Sequence, residues 1–329
     1  MEDEKEFDFF LKIIKLSESL PDIESKRNEI IQDLSCAKDK LSPRTLFHYT
    51  DLKGIDGIVG SNNLRATHYK FLNDSTEIVY GLKLLTDEIE SYLNDALDED
   101  ASFLLRELAS LYSQYDAFYG QLFKAHVISF SEDSDVLSQW RAYSNQATGF
   151  CVGFNFFGSN LITVDDKGGP WFLELLPVIY DNSKQKILIR KGIEKMLAYL
   201  NSTKECTVAK VVNFPEEDRS VVLGFFMRVL EPFVAAFKHS GFHEEKEWRA
   251  VAVCPSDLVK EKMGVNNFLE CIFIQGDQEN LWQTDLLPIT SVTAGPLSRK
   301  AEMDEVKNRL LLKGYGNQVV YSKSEIPLK

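Results

Sequence analysis

Apolar residues recur along this chain with two periods, and the switches between them outline its elements. Residues 4–20 and 24–40 repeat at helical spacing, separated at Leu20-Pro21-Asp22, where the proline ends one helix and Asp22 is placed to cap the next. The extended run TLFHYT follows, then a short helix ending around Gly60, then the run LRATHY. NDSTEIVYGLKLLTDEIESYL opens on capping residues and continues as a helix, and a further helix is predicted over about residues 101–124. HVISFS, TGFCVGF and LELLPVIYD are short, β-branched or aromatic-rich and parted by polar turns, which predicts strands. DDKGGP, residues 165–170, is a turn by its glycine and proline content. Helical spacing returns at about 184–200 and 215–239, where Asn213 and Pro215 mark the start of the second helix and Pro232 is expected to bend it. EWRAVAVC, LECIFIQG, SVTAG and QVVYSK close the chain as strands, with one helix at about 299–313 between the last two.

Helices thus come in blocks between strand clusters instead of alternating with strands, which predicts an α+β fold and not a doubly wound one. The organisation this implies is an N-terminal helical extension over residues 1–42 and a single α+β domain over 43–329, with helical insertions at about 78–124 and 184–240. There is no internal repeat and no low-complexity linker.

Composition changes this picture in three places. An apolar fraction of 44% with 22 phenylalanines supplies an ordinary buried core, while a formal charge of −13 argues against a broad, sequence-independent grip on nucleic acid and leaves room only for a local basic groove. The acidic start MEDEKEFDFF lacks the pattern of a secretory signal, and the most apolar stretch, SVVLGFFMRVLEPFVAAFKHSGF, contains Arg228, Glu231 and Lys238, so no membrane span is expected. Five cysteines without a C-x-x-C pair predict reduced core thiols in a cytoplasmic protein and no metal knuckle.

The candidate chemistry is sparse. Neither a G-x-G-x-x-G turn nor a phosphate loop ending in Gly-Lys-Ser/Thr is present. His239 and His243 have the i, i+4 spacing of a metal pair, but Gly241 lies between them and no internal glutamate follows the zincin order, so solvated histidines are the simpler reading. In FHEEKEWRAVAV an extended chain from Glu245 puts Glu245, Glu247, Arg249, Val251 and Val253 on one face. Such a face is either a strand end with a local Glu247–Arg249 pair or a carboxylate held at the rim of a cleft. Alternation in ISFSED sets Ser129 and Ser131 together as hydroxyls that brace a turn or line a ligand cleft, with no nucleophile elbow around them. His48 and Tyr49 in FHYT, and Trp140 and Tyr143 in QWRAYS, are packing residues or rim aromatics able to stack on a planar ligand.

FHYT, FLNDSTE, ISFSE followed by QWRAYS and GFCVGF, EEKEWR, and a final GP then SEIPLK occur in an order that resembles a bacterial family known as domain of unknown function 2971 (DUF2971), over about residues 43–329. More remotely, a histidine on a first strand, Ser129-Phe130-Ser131 on a second and Glu245-Lys246-Glu247 at the start of a later one resemble the ADP-ribosyltransferase folds, although this mixture matches neither main branch of that superfamily. That resemblance implies a split, twisted β-sheet and an ADP-ribosyltransferase consuming NAD as substrate, with no retained cofactor and no metal. Glu247 would be catalytic with Glu245 beside it, and His48, Tyr49, Ser129, Ser131, Trp140 and Tyr143 would form the NAD site. It further implies transfer to a macromolecular acceptor in a bacterial toxin or phage-defence setting. The alternatives are an NAD glycohydrolase using the same site and a non-catalytic nucleotide- or partner-binding module.

Overall fold

The computed structural model describes residues 16, 18–37, 45–72, 76–95, 98–114, 123–156, 159–164, 170–255, 268–276, 281–283 and 286–328. Residues 165–169 of the turn expected over 165–170 and most of the expected helix at 4–20 lie outside them, and Pro170 opens a strand. The chain forms two compact units, one from residues 1–39, 76–121 and 179–240, the other from 40–75, 122–178 and 241–329. No helix among the described residues is long and apolar enough to cross a membrane.

The first unit is helical. Its described helices are α1 (Ile23–Ala37), α3 (Thr76–Tyr92), α4 (Glu99–Ser113), α6 (Asn182–Ser202), α7 (Val208–Val212) and α8 (Glu216–Ala236); α2 belongs to the other unit, as Leu52–Ser61. Of the helix expected over about 101–124, the helical part described runs from Glu99 to Ser113, residues 115–122 lie outside the described residues and Phe123 opens a strand; the helix expected over 215–239 ends at Ala236, with the short α7 separate before it. α8 is apolar on nearly every side from Val221 onward and packs against α1, α3, α4 and α6, as a helix without a polar face must. Glu216, Glu217 and Asp218 in its first turn offset the unpaired amide dipoles there.

α3 crosses α8 at Gly81, where an added Cβ would lie 2.4 Å from the Val234 carbonyl oxygen and 2.9 Å from its Cα. The two backbones touch because this residue has no side chain. Gly81→Ala is expected to cost about 1–3 kcal/mol, the usual range for overpacking, read as a lower urea midpoint at unchanged slope.

The second unit is a mixed sheet. Its described strands run β12-β11-β4-β1-β3-β2-β9-β5-β6, with β10 paired to β9, and with β8 on β3 and β7 on β8. In chain order they are β1 (Thr45–Thr50), β2 (Leu64–His68), β3 (Phe123–Ser131), β4 (Phe150–Asn155), β5 (Ser159–Val164), β6 (Pro170–Phe172), β7 (Glu174–Pro177), β8 (Glu247–Pro255), β9 (Phe268–Gly276), β10 (Leu281–Gln283), β11 (Ile289–Ala294) and β12 (Val320–Lys323). β11 and β12 pair in parallel and the other ladders are antiparallel. The fold is α+β, as the blocks of helix and strand predict.

One face of the sheet carries the main core, in which Leu46, Ile128, Phe130, Val152, Phe154 and Trp248 pack with Ile55 and Ile58 of α2 and with Met303, Val306 and Leu310 of α9 (Lys300–Leu312). The opposite face carries a smaller cluster of Tyr49, Trp140, Ala147 and Cys151, built around the short helix α5 (Leu137–Tyr143). Successive strand residues point to opposite faces, so Leu46 and Tyr49 of the same strand serve different clusters.

Candidate functional site

The sheet splits along one edge of β3. On its other edge β3 pairs with β8 over its whole length, from Phe123↔Pro255 to Ser131↔Glu247. On the split edge β1 meets it only at Ser131, through Phe47, and β2 only at His126 and Val127, through His68 and Thr67. Ile128, Ser129 and Phe130 have no strand partner there, and a buried carbonyl left in such a gap needs a donor. His48 supplies it, with Nδ1 2.9 Å from the Ser129 oxygen.

A carbonyl only accepts, so Nδ1 carries the proton and Nε2 of the neutral ring is an acceptor. Burial pushes the His48 pKa below its usual 6.5, and the bond to Ser129 pulls weakly the other way. The unfolded chain therefore takes up this proton first as pH falls, and stability is lost on going below about 6.5. Urea midpoints at pH 7.5 and 5.5 are expected to differ less in His48→Gln than in the wild type.

A cavity of about 170 Å³ opens at this split. β1 gives it Phe47, His48 and Tyr49, β2 gives Arg65 and Thr67, β3 gives Val127 to Phe130, and α5 gives Gln139 and Tyr143. Phe71 and Leu72 lie on its wall beyond β2, Phe71 being 56% exposed, and Glu245 and Glu247 close it where the chain enters β8.

The Glu-Lys-Glu entry differs from a simple alternation. Glu245 ends a 3₁₀ turn, Ser240–Glu245, and the strand begins at Glu247, because Lys246 between them has φ 44°, a left-handed conformation unfavourable for a residue with a Cβ. The turn is held in place. The Ser131 hydroxyl donates to the Glu245 carbonyl at 2.8 Å, the Glu132 amide donates to the Lys246 carbonyl at 3.1 Å, and Lys246 Nζ meets Asp133 at 2.7 Å. Glu247 and Arg249 then share the face that carries Ser131 and Ser129 directly opposite. Arg249 is fully buried and grips Glu247 with both arms, Nε to Oε1 at 2.8 Å and NH2 to Oε2 at 3.0 Å.

Of the residues singled out by sequence, His48, Tyr49, Ser129, Tyr143, Glu245 and Glu247 meet at this cavity, whereas Ser131 and Trp140 do not line it. Ser131 is buried and committed to bracing the Glu245 turn. Trp140 is fully buried, edge-on to Tyr49 at 4.8 Å, and its indole N–H donates to Asp135 at 2.6 Å, so its ring is packing and not a ligand platform. The Tyr49 hydroxyl is a clasp, donating to the Asp133 carbonyl at 2.9 Å and accepting from the Val136 amide at 3.0 Å. Burial raises its pKa far above the usual range.

Asp135 also accepts from Ser324 Oγ at 2.5 Å and from the Glu325 amide at 2.9 Å, tying down the SEIPLK segment, whose Ile326 and Leu328 pack on the Tyr49–Trp140 cluster. After α5, Asn145, Gln146 and Ala147 have φ of 49°, 55° and 71° in succession, and backbone bonds from Ala147 to Trp140 and from Leu297 to Ala147 fix that left-handed turn. Arg65, Thr67, Phe71 and Gln139 were not singled out by sequence. The alternation of LRATHY does set Arg65 and Thr67 on one face, and Gln139 stands in the QWRAYS motif. Among the described residues no group of three or more His, Cys, Asp or Glu side chains is placed to hold a metal ion.

Residues 139–250 match the model of a family described as a protein of unknown function (DUF2971), and the resemblance to that family holds over this stretch. The matched segment contains Gln139, Trp140, Tyr143, Glu245, Glu247 and Arg249. No curated protein and no solved structure matches the chain.

Proposed function

We propose that the cavity at the split of the sheet binds the nicotinamide end of NAD, and that the protein, acting in the bacterial cytoplasm, transfers ADP-ribose to a macromolecular acceptor. One observation carries this reading: His48, Ser129 and Glu247, remote in sequence, line one cavity in a gap of the sheet. Cleaving the bond between nicotinamide and ribose builds positive charge on the sugar, which a carboxylate bonded to a ribose hydroxyl stabilises. Glu247 is the group for that role. An ionised carboxylate has about four lone-pair sites, so the grip of Arg249 does not by itself close it to a hydroxyl. His48 Nε2 would accept from a ribose hydroxyl, and Tyr143 and Phe71 would flank the planar nicotinamide. The Arg65 guanidinium, stacked 4.2 Å from the Phe268 ring centroid, would meet the pyrophosphate. At about 170 Å³ the cavity suits nicotinamide and its ribose, with the adenosine end lying beyond it on the open side at Phe71.

The test is nicotinamide release from NAD by the purified full chain, with and without a cell lysate as acceptor source. Release that needs lysate supports transfer to a macromolecule, such as a toxin or phage-defence factor would carry out. Release without it makes the protein an NAD glycohydrolase. No release together with no NAD binding overturns both. A non-catalytic nucleotide- or partner-binding module is the second reading, favoured by the buried two-armed Glu247–Arg249 pair, an arrangement sufficient to explain both residues structurally.

A further inference from the structure

At the far end of the same sheet, β12 and α9 enclose a second cavity, of about 370 Å³. It shares no lining residue with the cavity at the split. The strand order puts β11 and β4 between β12 and β1, which at the usual strand spacing separates β12 from β1 by about 14 Å. Lys300, Met303 and Lys307 stand at i, i+3 and i+7, one face of α9, and Tyr321 and Lys323 at i and i+2, one face of β12, so two periodicities converge on one space.

Four of its nine lining residues are cationic and none is acidic, in a chain with 50 acidic and 37 basic residues. Arg299 is held by Glu302, at 2.6 and 3.0 Å, and adds little net charge. Lys300, Lys307 and Lys323 form no ion pair with a described residue. Lys307 lies 5.2 Å from the ring centroid of Tyr321, which itself packs against the main core. Three ammonium groups lining one cavity, with no acidic residue in its walls, specify an anionic occupant.

We propose that this edge cavity binds the phosphate chain of a free nucleotide. The volume falls in the range of small-ligand sites, about 300–1,000 Å³, larger than one inorganic phosphate needs. Ammonium groups act as point charges toward phosphate oxygens without demanding a planar partner. Three of them spread over a helix and a strand fit a row of phosphates better than one carboxylate. The amides at the start of α9 favour the same sign of ligand, but the assignment rests on the lysines. It is independent of NAD cleavage.

Titrating ATP into the full-length protein by calorimetry at low salt is expected to show binding that inorganic tripolyphosphate competes away. Lys300→Gln with Lys323→Gln is expected to weaken it at least about tenfold, with unchanged melting. Nicotinamide release should be the same in the lysine variant as in the wild type. The assignment is overturned by absence of ATP binding at low salt or by unchanged affinity in the lysine variant. It is equally overturned if a single-stranded oligonucleotide binds through these lysines while ATP does not.

Discussion

Glu247→Gln is expected to lower nicotinamide release from NAD by about 10²–10³-fold, the scale seen when one preorganised stabiliser of transition-state charge is removed. The substitution keeps shape and one acceptor oxygen but removes the negative charge that the developing positive sugar requires. It also turns an amide NH₂ toward the Arg249 guanidinium, which now donates to one partner oxygen instead of two. A stability loss of about 1–3 kcal/mol is therefore expected alongside the kinetic one, and the rate is to be compared at a temperature where both proteins are folded. Glu245→Gln separates chemistry from acceptor choice. The Glu245 main chain is anchored by Ser131 whatever its side chain does, so this variant should retain release from NAD while changing the acceptor, if a guanidinium acceptor is what Glu245 recognises. Release undiminished in Glu247→Gln would remove this carboxylate from the chemistry.

Local pattern foretold local events well. The alternation in EWRAVAVC reads as β8 because one side of that strand must be buried, and the long helical repeats of α3, α6 and α8 are wide enough to average out exceptions. Short elements are different. β6 and β10 have three residues each, too few to display a period, and α5 is seven residues long and is followed by three left-handed positions, Asn145, Gln146 and Ala147, of which only the asparagine is a residue type that favours them. The placement of His48, Ser129 and Glu247 on strands was legible for the same local reason, although only Glu247 stands at a strand end. The split of the sheet was expected only by resemblance, since it depends on which lengths of β3 are claimed by β1 and β2 across long stretches of chain. Trp140 and Arg65 show the cost of that gap. Trp140 stands between the polar Gln139 and Arg141, and Arg65 between the apolar Leu64 and Ala66, yet Trp140 is fully buried with its N–H on Asp135, and Arg65 reaches the cavity stacked on Phe268, a residue distant in sequence.

Arg249→Met is expected to destabilise the sheet unit by about 3–5 kcal/mol, because removing one partner leaves the Glu247 carboxylate buried without its counter-charge. Arg249 is fully buried, so solvent offers little relief, and the cost should appear as a much lower denaturant midpoint. Replacing both residues, Glu247→Leu with Arg249→Met, removes the charge and its partner together and is expected to recover most of the lost stability, since apolar side chains of similar volume often replace buried ion pairs at no net cost. The double-mutant cycle gives the coupling between the two directly. It also separates the two readings of the cavity. In an NAD-cleaving enzyme the double variant is folded and inert, because the carboxylate that meets the ribose is gone. In a binding module whose Glu247 serves only Arg249, the double variant is folded and keeps the ligand affinity of the wild type. Stability alone cannot distinguish these cases, since the pair is buried in both; stability measured together with nicotinamide release and NAD affinity on the same double variant can.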